Sequence, residues 1–186
     1  MNLYLWLLFL ISIVCFGLQF EPLAGWSAWQ LSGIQHGQWW RILTGNFTHT
    51  NFAHLGMNLA GLWIISFIFK PAARTLLILL LSLSVWIGLC VLLTDMRIYV
   101  GLSGTLHALF AFFALQEALQ GRRSSWLLVL GVVAKVVWEQ AFGSSMGTEQ
   151  LIHARVATEA HLAGVIGGGL LALTLKLCGC NRLISQ

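Results

Sequence analysis

The stretch Gly101-Leu102-Ser103-Gly104-Thr105-Leu106-His107-Ala108-Leu109-Phe110 puts a glycine-flanked serine where a loop turns into a long apolar helix. A serine at a helix N-terminus sits among backbone N–H groups that lack intrahelical partners and favour developing negative charge, which suits a nucleophile. Ser103 and His107 are four residues apart and share a helix face, while Gly104 and Ala108 form an adjacent small-residue groove against which a second helix can pack closely. Taken alone the G-x-S-G pattern is weak, because glycine and serine are common in membrane helices. Packing outweighs chemistry as its explanation until other residues join it.

Working outward, the composition decides the environment of that helix. Of 186 residues, 58% are hydrophobic and 9% charged, and the mean hydropathy is +0.83. That leaves too little polar surface for a soluble domain of this size, so the chain reads as an integral membrane protein. The apolar stretches are continuous runs of Leu, Ile, Val, Phe and Ala rather than short alternating strands, which makes helices the spanning form. A single domain over residues 1–186 is expected. The net charge of +4 is small and its basic residues scattered, so nucleic acid is not an expected partner. Cys15, Cys90, Cys178 and Cys180 lie in or at the ends of apolar runs without metal-ligand spacing and read as packing residues. Neither a metal nor a cofactor is expected.

The first apolar run, 3–20, lacks a basic leading segment and a convincing cleavage site, so it reads as a membrane helix rather than a removed signal. Residues 21–48 are too polar to span and carry Trp26, Trp29, Trp39, Trp40 and Arg41, which suits the membrane interface. Further spans are expected at about 51–69, 75–93, 101–120, 125–142 and 157–177, making an all-α bundle of six transmembrane helices. Lys70, Arg74, Arg122, Arg123, Lys176 and Arg182 then fall on the side of the termini, and Arg41, Arg97 and Arg155 on the other. The excess puts the termini in the cytoplasm.

In this topology spans two, four and six all begin on the non-cytoplasmic side, and each start is polar. Span two opens with His49-Thr50-Asn51-Phe52-Ala53-His54 and continues to Asn58, with His54 and Asn58 on one face. Span four supplies Ser103. Span six opens Glu159-Ala160-His161-Leu162-Ala163-Gly164, and Ala160, Gly164 and Gly168 make a small-residue stripe that would bring His161 towards Ser103. A serine hydroxyl is a weak nucleophile until an imidazole takes its proton, and the tetrahedral oxyanion needs preorganised donors, which His54 and Asn58 could supply. Polar groups gathered at one membrane depth otherwise serve as interhelical glue. Glu159 lies only two residues from His161 and points elsewhere, so a Ser–His dyad is the expected arrangement. Lys135 and Glu139 could pair locally or with Glu117 across helices, and structural pairing is favoured over substrate contact. His36 and His153 read as solvated loop residues.

These motifs, in this order, resemble the rhomboid intramembrane serine proteases over nearly the whole chain. Trp40-Arg41 resembles the family's W-R signature, His54-x-x-x-Asn58 its oxyanion pair, Gly101-x-Ser103-Gly104 its nucleophile motif, and Ala160-His161-x-x-Gly164 its general-base helix. The resemblance implies Ser103 as nucleophile, His161 as base, and His54, Asn58 and the Ser103 N–H as the oxyanion site, with Arg41, Gly101, Gly104, His107 and Gly164 in support. Many members carry a tyrosine stacked near the histidine one turn after the serine, where this chain has His107. That second imidazole could stack, hydrogen-bond or alter proton affinity.

The G-L-S-G-x-L-H form resembles the rhombosortase subgroup. It implies cleavage, near the outer face of a bacterial inner membrane, of exported proteins anchored by a C-terminal Gly-Gly motif, apolar helix and basic end, with the first loop and fifth helix forming a lateral opening. Expected partners are therefore the lipid bilayer and membrane-anchored protein substrates. A catalytically inactive rhomboid-like binding protein and a small polar-lined transporter are the competing readings. The first usually lacks the nucleophile or the base, and labelling of Ser103 by an activity probe would separate the second from an enzyme.

Overall fold

The structure is a computed structural model and describes residues 3–179, so Cys180 and Arg182 lie outside the described residues. The described chain is mostly helical. After α1 (Leu3–Gly17) comes a compact first loop made of α2 (Leu23–Ser27), β1 (Trp29–Gln30), α3 (Leu31–Gln35), α4 (Arg41–Thr44) and a 3-10 turn over Gly45–Phe47. There follow α5 (Phe52–Phe69), α6 (Ala73–Val91), β2 (Ile98–Tyr99), α7 (Ser103–Leu119), α8 (Ser125–Phe142), α9 (Met146–Ile152) and α10 (Thr158–Leu177).

Local chemistry sets several of these boundaries. Asn51 caps α5 by accepting the His54 backbone N–H at 2.8 Å, satisfying a donor that would otherwise be orphaned. At the other end Lys70 adopts the left-handed conformation and Pro71 follows, which cannot continue a helix. A helix occupies each of the six ranges expected to span. Four of them, α5, α6, α8 and α10, are long and apolar enough to cross a membrane by length and composition, whereas α1 has 15 residues and α7 has 17. Many of the large apolar side chains of α1, α5, α8 and α10 point outward, among them Phe9, Ile64, Leu130, Val137 and Leu170, as a bilayer-facing surface requires.

Helix α7 runs through the middle and packs on α5, α6, α8 and α10. Ala108, Leu109, Phe112 and Ala114 are fully shielded from solvent. Its most extensive partner is α10, and the reason is steric. A Cβ at Gly164 would collide with the Gly104 carbonyl oxygen, and one at Gly168 with the Ala108 carbonyl oxygen. With hydrogen in place of a side chain the two backbones approach closely and gain dispersion contact along the seam.

The first loop is less uniformly interfacial than its composition suggests. Trp26, Trp39 and Trp40 are exposed, but Trp29 is fully buried, with its indole N–H donating to the Gly88 carbonyl at 2.9 Å. Arg41 is buried too. Its guanidinium donates to the carbonyls of Gly25 at 2.9 Å and Ala28 at 2.6 Å and to the Gln38 side chain at 2.5 Å. It braces the loop internally, away from Ser103. Strands β1 and β2 pair antiparallel with Trp29 opposite Tyr99, tying the loop to the segment that leads into α7.

Candidate active site

Ser103 is the first residue of α7, and the backbone leading to it is held by a buried polar network. The Tyr99 hydroxyl donates to the Gly101 carbonyl at 2.8 Å, and the Gly101 N–H donates to the Gly45 carbonyl at 3.1 Å. Beneath them Thr105 donates to the Asn46 side-chain oxygen at 3.1 Å and shares a 3.0 Å hydrogen bond with Ser84. Burial pushes the Tyr99 phenol well above its usual range, so it stays a neutral donor. Gly101 has φ +123°, a region side chains rarely adopt, and a Cβ there would lie 2.7–2.8 Å from the His54 ring. Glycine is required on both counts.

The close seam between α7 and α10 sets His161 against the serine. His161 Nε2 lies 2.9 Å from Ser103 Oγ, and His161 is 4% exposed. On the opposite side of the ring, Nδ1 lies 2.8 Å from Glu139 Oε2 on α8. This departs from the expected dyad: a carboxylate does reach the histidine, and it is Glu139 rather than Glu159, which pairs with Arg155. The other oxygen of Glu139 accepts from Lys135 Nζ at 2.6 Å, whereas Glu117 pairs with Arg122 and Ser125. Because an ionised carboxylate only accepts, Nδ1 carries the ring hydrogen and Nε2 presents its lone pair to the serine hydroxyl.

His107 stacks on His161, with ring centroids 4.0 Å apart and planes at 18°. Its Nδ1–H donates to the Ser103 carbonyl at 2.7 Å, which fixes the ring one turn into its own helix. Stacking and hydrogen bonding, two of the options open from sequence, therefore coexist. His107, Glu139 and His161 each offer an atom within 4.8 Å of the others, close enough to hold a metal ion. His161 Nδ1 and Nε2, Glu139 Oε2 and His107 Nδ1 are hydrogen-bonded to one another or to Ser103, and the Lys135 ammonium beside the carboxylate opposes a cation there. Ser103, His161 and Glu139 form a continuous hydrogen-bonded chain.

His54 and Asn58 are both buried and line the same cavity as Ser103. Their hydrogen bonding differs. Among the described residues Asn58 Nδ2 has no hydrogen-bond partner, leaving two donor hydrogens available. Thr50 donates its hydroxyl hydrogen to the Ile152 carbonyl at 2.7 Å, so it faces His54 Nδ1, 3.1 Å away, as an acceptor. The Thr50 backbone N–H also points at His54 Nδ1, 3.5 Å away, so this nitrogen faces a donor as well as the hydroxyl and Thr50 does not by itself fix the tautomer. His49 packs edge-on against His54 with centroids 5.0 Å apart, and burial pushes its imidazole down to about 3, keeping it neutral. His36 and His153 are exposed.

His54, Asn58, Ser103, His107 and His161 line a cavity of about 870 Å3, within the size range of ligand sites. Its apolar wall includes Met57 and Gly61 from α5, Phe110 from α7, Leu128 and Val132 from α8, and Ile152 from α9. Helix α9 is tied down by the Thr50 bond and by Asn51 Nδ2 donating to the Leu151 carbonyl at 2.9 Å. Sequence reasoning did not anticipate α9. Its seven residues have little apolar periodicity and follow a glycine and two serines.

Residues 36–177 match the rhomboid domain family, and the chain belongs to that family. It is also 25% identical over 180 residues to a Bacillus subtilis (strain 168) protein described as "Putative rhomboid protease YdcA", an alignment covering 90% of this chain and 81% of that protein.

Proposed function

We propose that the chain is an intramembrane serine endopeptidase with Ser103 as nucleophile and His161 as general base. The observation that carries this reading is the 2.9 Å contact between Ser103 Oγ and the ring nitrogen of a buried histidine, both lining a largely apolar cavity. As Oγ attacks the scissile carbonyl, its proton passes to His161 Nε2 and a tetrahedral oxyanion forms. Asn58 Nδ2 and the Ser103 N–H are the principal donors to it, and His54 completes the wall. The C–N bond then breaks as His161 Nε2 gives the proton to the leaving amine. Water, activated by the same histidine, releases the acyl group and restores the serine.

The finer features of the proposal are six spans, termini in the cytoplasm, and a site facing the periplasm of a bacterial inner membrane. The basic-residue count supports that orientation. The substrate is an exported protein anchored by a Gly-Gly pair, an apolar helix and a basic end, as the rhombosortase resemblance implies. An intact helix satisfies its own backbone and hides its carbonyls, so the scissile bond must lie where unwinding is cheap, and each glycine lowers that cost by roughly 1 kcal/mol relative to alanine.

The test is fluorophosphonate labelling of the purified protein beside Ser103→Ala and His161→Ala, paired with cleavage of an exported reporter bearing the Gly-Gly tail. Labelling and cleavage are expected in the parent and lost in both variants, with the two effects non-additive. Full activity in either variant would remove the assignment. Equal cleavage of Gly-Gly, Ala-Ala and Leu-Leu tails would remove only the subgroup's substrate.

A further inference from the structure

We infer that Glu139 is a positioning residue for this chemistry, so that Ser103, His161 and Glu139 act as one relay; the inference rests on the reading of Ser103 as nucleophile and His161 as base. The carboxylate comes from the last turn of α8 and crosses to α10, with Oε2 2.8 Å from His161 Nδ1. Its two oxygens have separate tasks. Oε1 takes the Lys135 ammonium at 2.6 Å, and Oε2 is left for the imidazole. The Lys135 side chain is 50% exposed and that of Glu139 only 12%, so the carboxylate turns inward to the histidine rather than outward with its lysine.

The groups bonded to or stacked on His161 come from α7 and α8, and His54 of α5 lines the same cavity. From α7 the Ser103 hydroxyl meets Nε2 and His107 stacks on one face of the ring. From α8 come Glu139 and, behind it, Lys135. On α10 itself Glu159 is engaged by Arg155. The end of α8 is also fixed in register with the start of α10, because Gln140 Nε2 donates to the Thr158 carbonyl at 2.9 Å. Glu139 is thus delivered from a braced position.

What this does for catalysis follows from the charges. Before attack the set holds a carboxylate and a neutral imidazole. After the proton moves from Ser103 Oγ to His161 Nε2, the set holds a carboxylate, an imidazolium and an oxyanion. Nδ1–H stays where it is and Glu139 is never protonated. An imidazolium forming in a water-poor site needs a counter-charge more than one in bulk water does. A fixed acceptor on Nδ1 also excludes the tautomer whose Nε2–H could not accept the serine proton.

The experiment measures the rate of Ser103 labelling by a fluorophosphonate in mild detergent, which needs no natural substrate, with the melting temperature recorded alongside. Glu139→Gln keeps the side-chain shape and removes the charge; its labelling rate is expected to fall about 10²–10⁴-fold at an unchanged melting temperature. Glu139→Asp should recover part of that loss, and added formate should accelerate Glu139→Ala at least tenfold by standing in for the lost carboxylate. A Glu139→Gln rate within about threefold of the parent overturns the relay. So does a Glu139→Ala protein whose rate and melting temperature fall together and which formate leaves unchanged, since that is the signature of packing alone. Labelling that persists in Ser103→Ala would instead overturn the underlying nucleophile assignment, so the two failures are distinguishable.

Discussion

Asn58 and His54 stand one turn apart on α5 and line the same cavity as Ser103, but only Asn58 keeps a buried donor without a protein partner. Such a donor costs on the order of 1–3 kcal/mol in a folded protein, and a site retains it where a reacting oxygen is to be met. His54 Nδ1 is met by the Thr50 N–H and hydroxyl, and its Cε1–Nε2 edge is packed against Gly101. Asn58→Ala is therefore expected to slow cleavage by about 10²–10³-fold, the usual cost of losing one oxyanion donor, with a melting temperature at or above the parent's. His54→Ala should cost less in rate and more in stability, because it opens space against His49 and Gly101. Cleavage rates and thermal melting of the two variants check the contrast, and a reversed order would assign the oxyanion to His54.

The pairing of α7 with α10 depends on which glycines face the seam. A Cβ at Gly168 runs into the Ala108 carbonyl oxygen, whereas at Gly169, one residue on, a Cβ meets nothing within 4 Å among the described residues. Gly168→Ala should then destabilise by about 1–3 kcal/mol through overpacking and slow cleavage by displacing His161. Gly169→Ala should gain up to about 1 kcal/mol from helix propensity and leave cleavage unchanged. Unfolding by detergent titration measures both. This seam was legible in the sequence because Ala160, Gly164 and Gly168 recur at helical spacing opposite Gly104 and Ala108. The helix positions were legible too, since each is a long apolar run with polar ends. Glu139 was not recognised as the partner of His161: they lie 22 residues apart on different helices, and α8's rotation about its axis sets which neighbour the carboxylate meets. Its i,i+4 lysine offered a sufficient local explanation. Strands β1 and β2 were equally hidden, because two-residue strands carry no periodicity and are held by the burial of Trp29 and Tyr99.

For the molecule as a whole, the polar end of the bundle couples stability to pH through His49, which lies in the loop between the 3-10 turn and α5. The residue is 5% exposed, and burial, with the neighbouring His54 ring adding to it, pushes its imidazole from 6.5 down to about 3, against a smaller opposing effect of a Phe47 backbone hydrogen bond. The folded protein thus holds His49 neutral where the unfolded chain would protonate it. Above about pH 6.5 both states are neutral and the group contributes no pH dependence. As the pH falls from about 6.5 towards about 3, the unfolded state binds a proton that the native state does not, so stability falls by up to about 1.4 kcal/mol per pH unit from this residue. Below about 3 both states bind the proton and the loss levels off. Other groups titrate in the same range, so the measurement is a difference: unfolding free energy against pH for the parent and for His49→Gln, which stays neutral throughout. The variant is expected to be less stable than the parent at pH 7.5, where it lacks the fitted ring, and to lose ground more slowly on acidification, so that the two curves converge between pH 6 and pH 4. Parallel curves would mean that the folded loop opens to admit the proton to His49, and the buried, neutral state would then not be what holds this end of the bundle together.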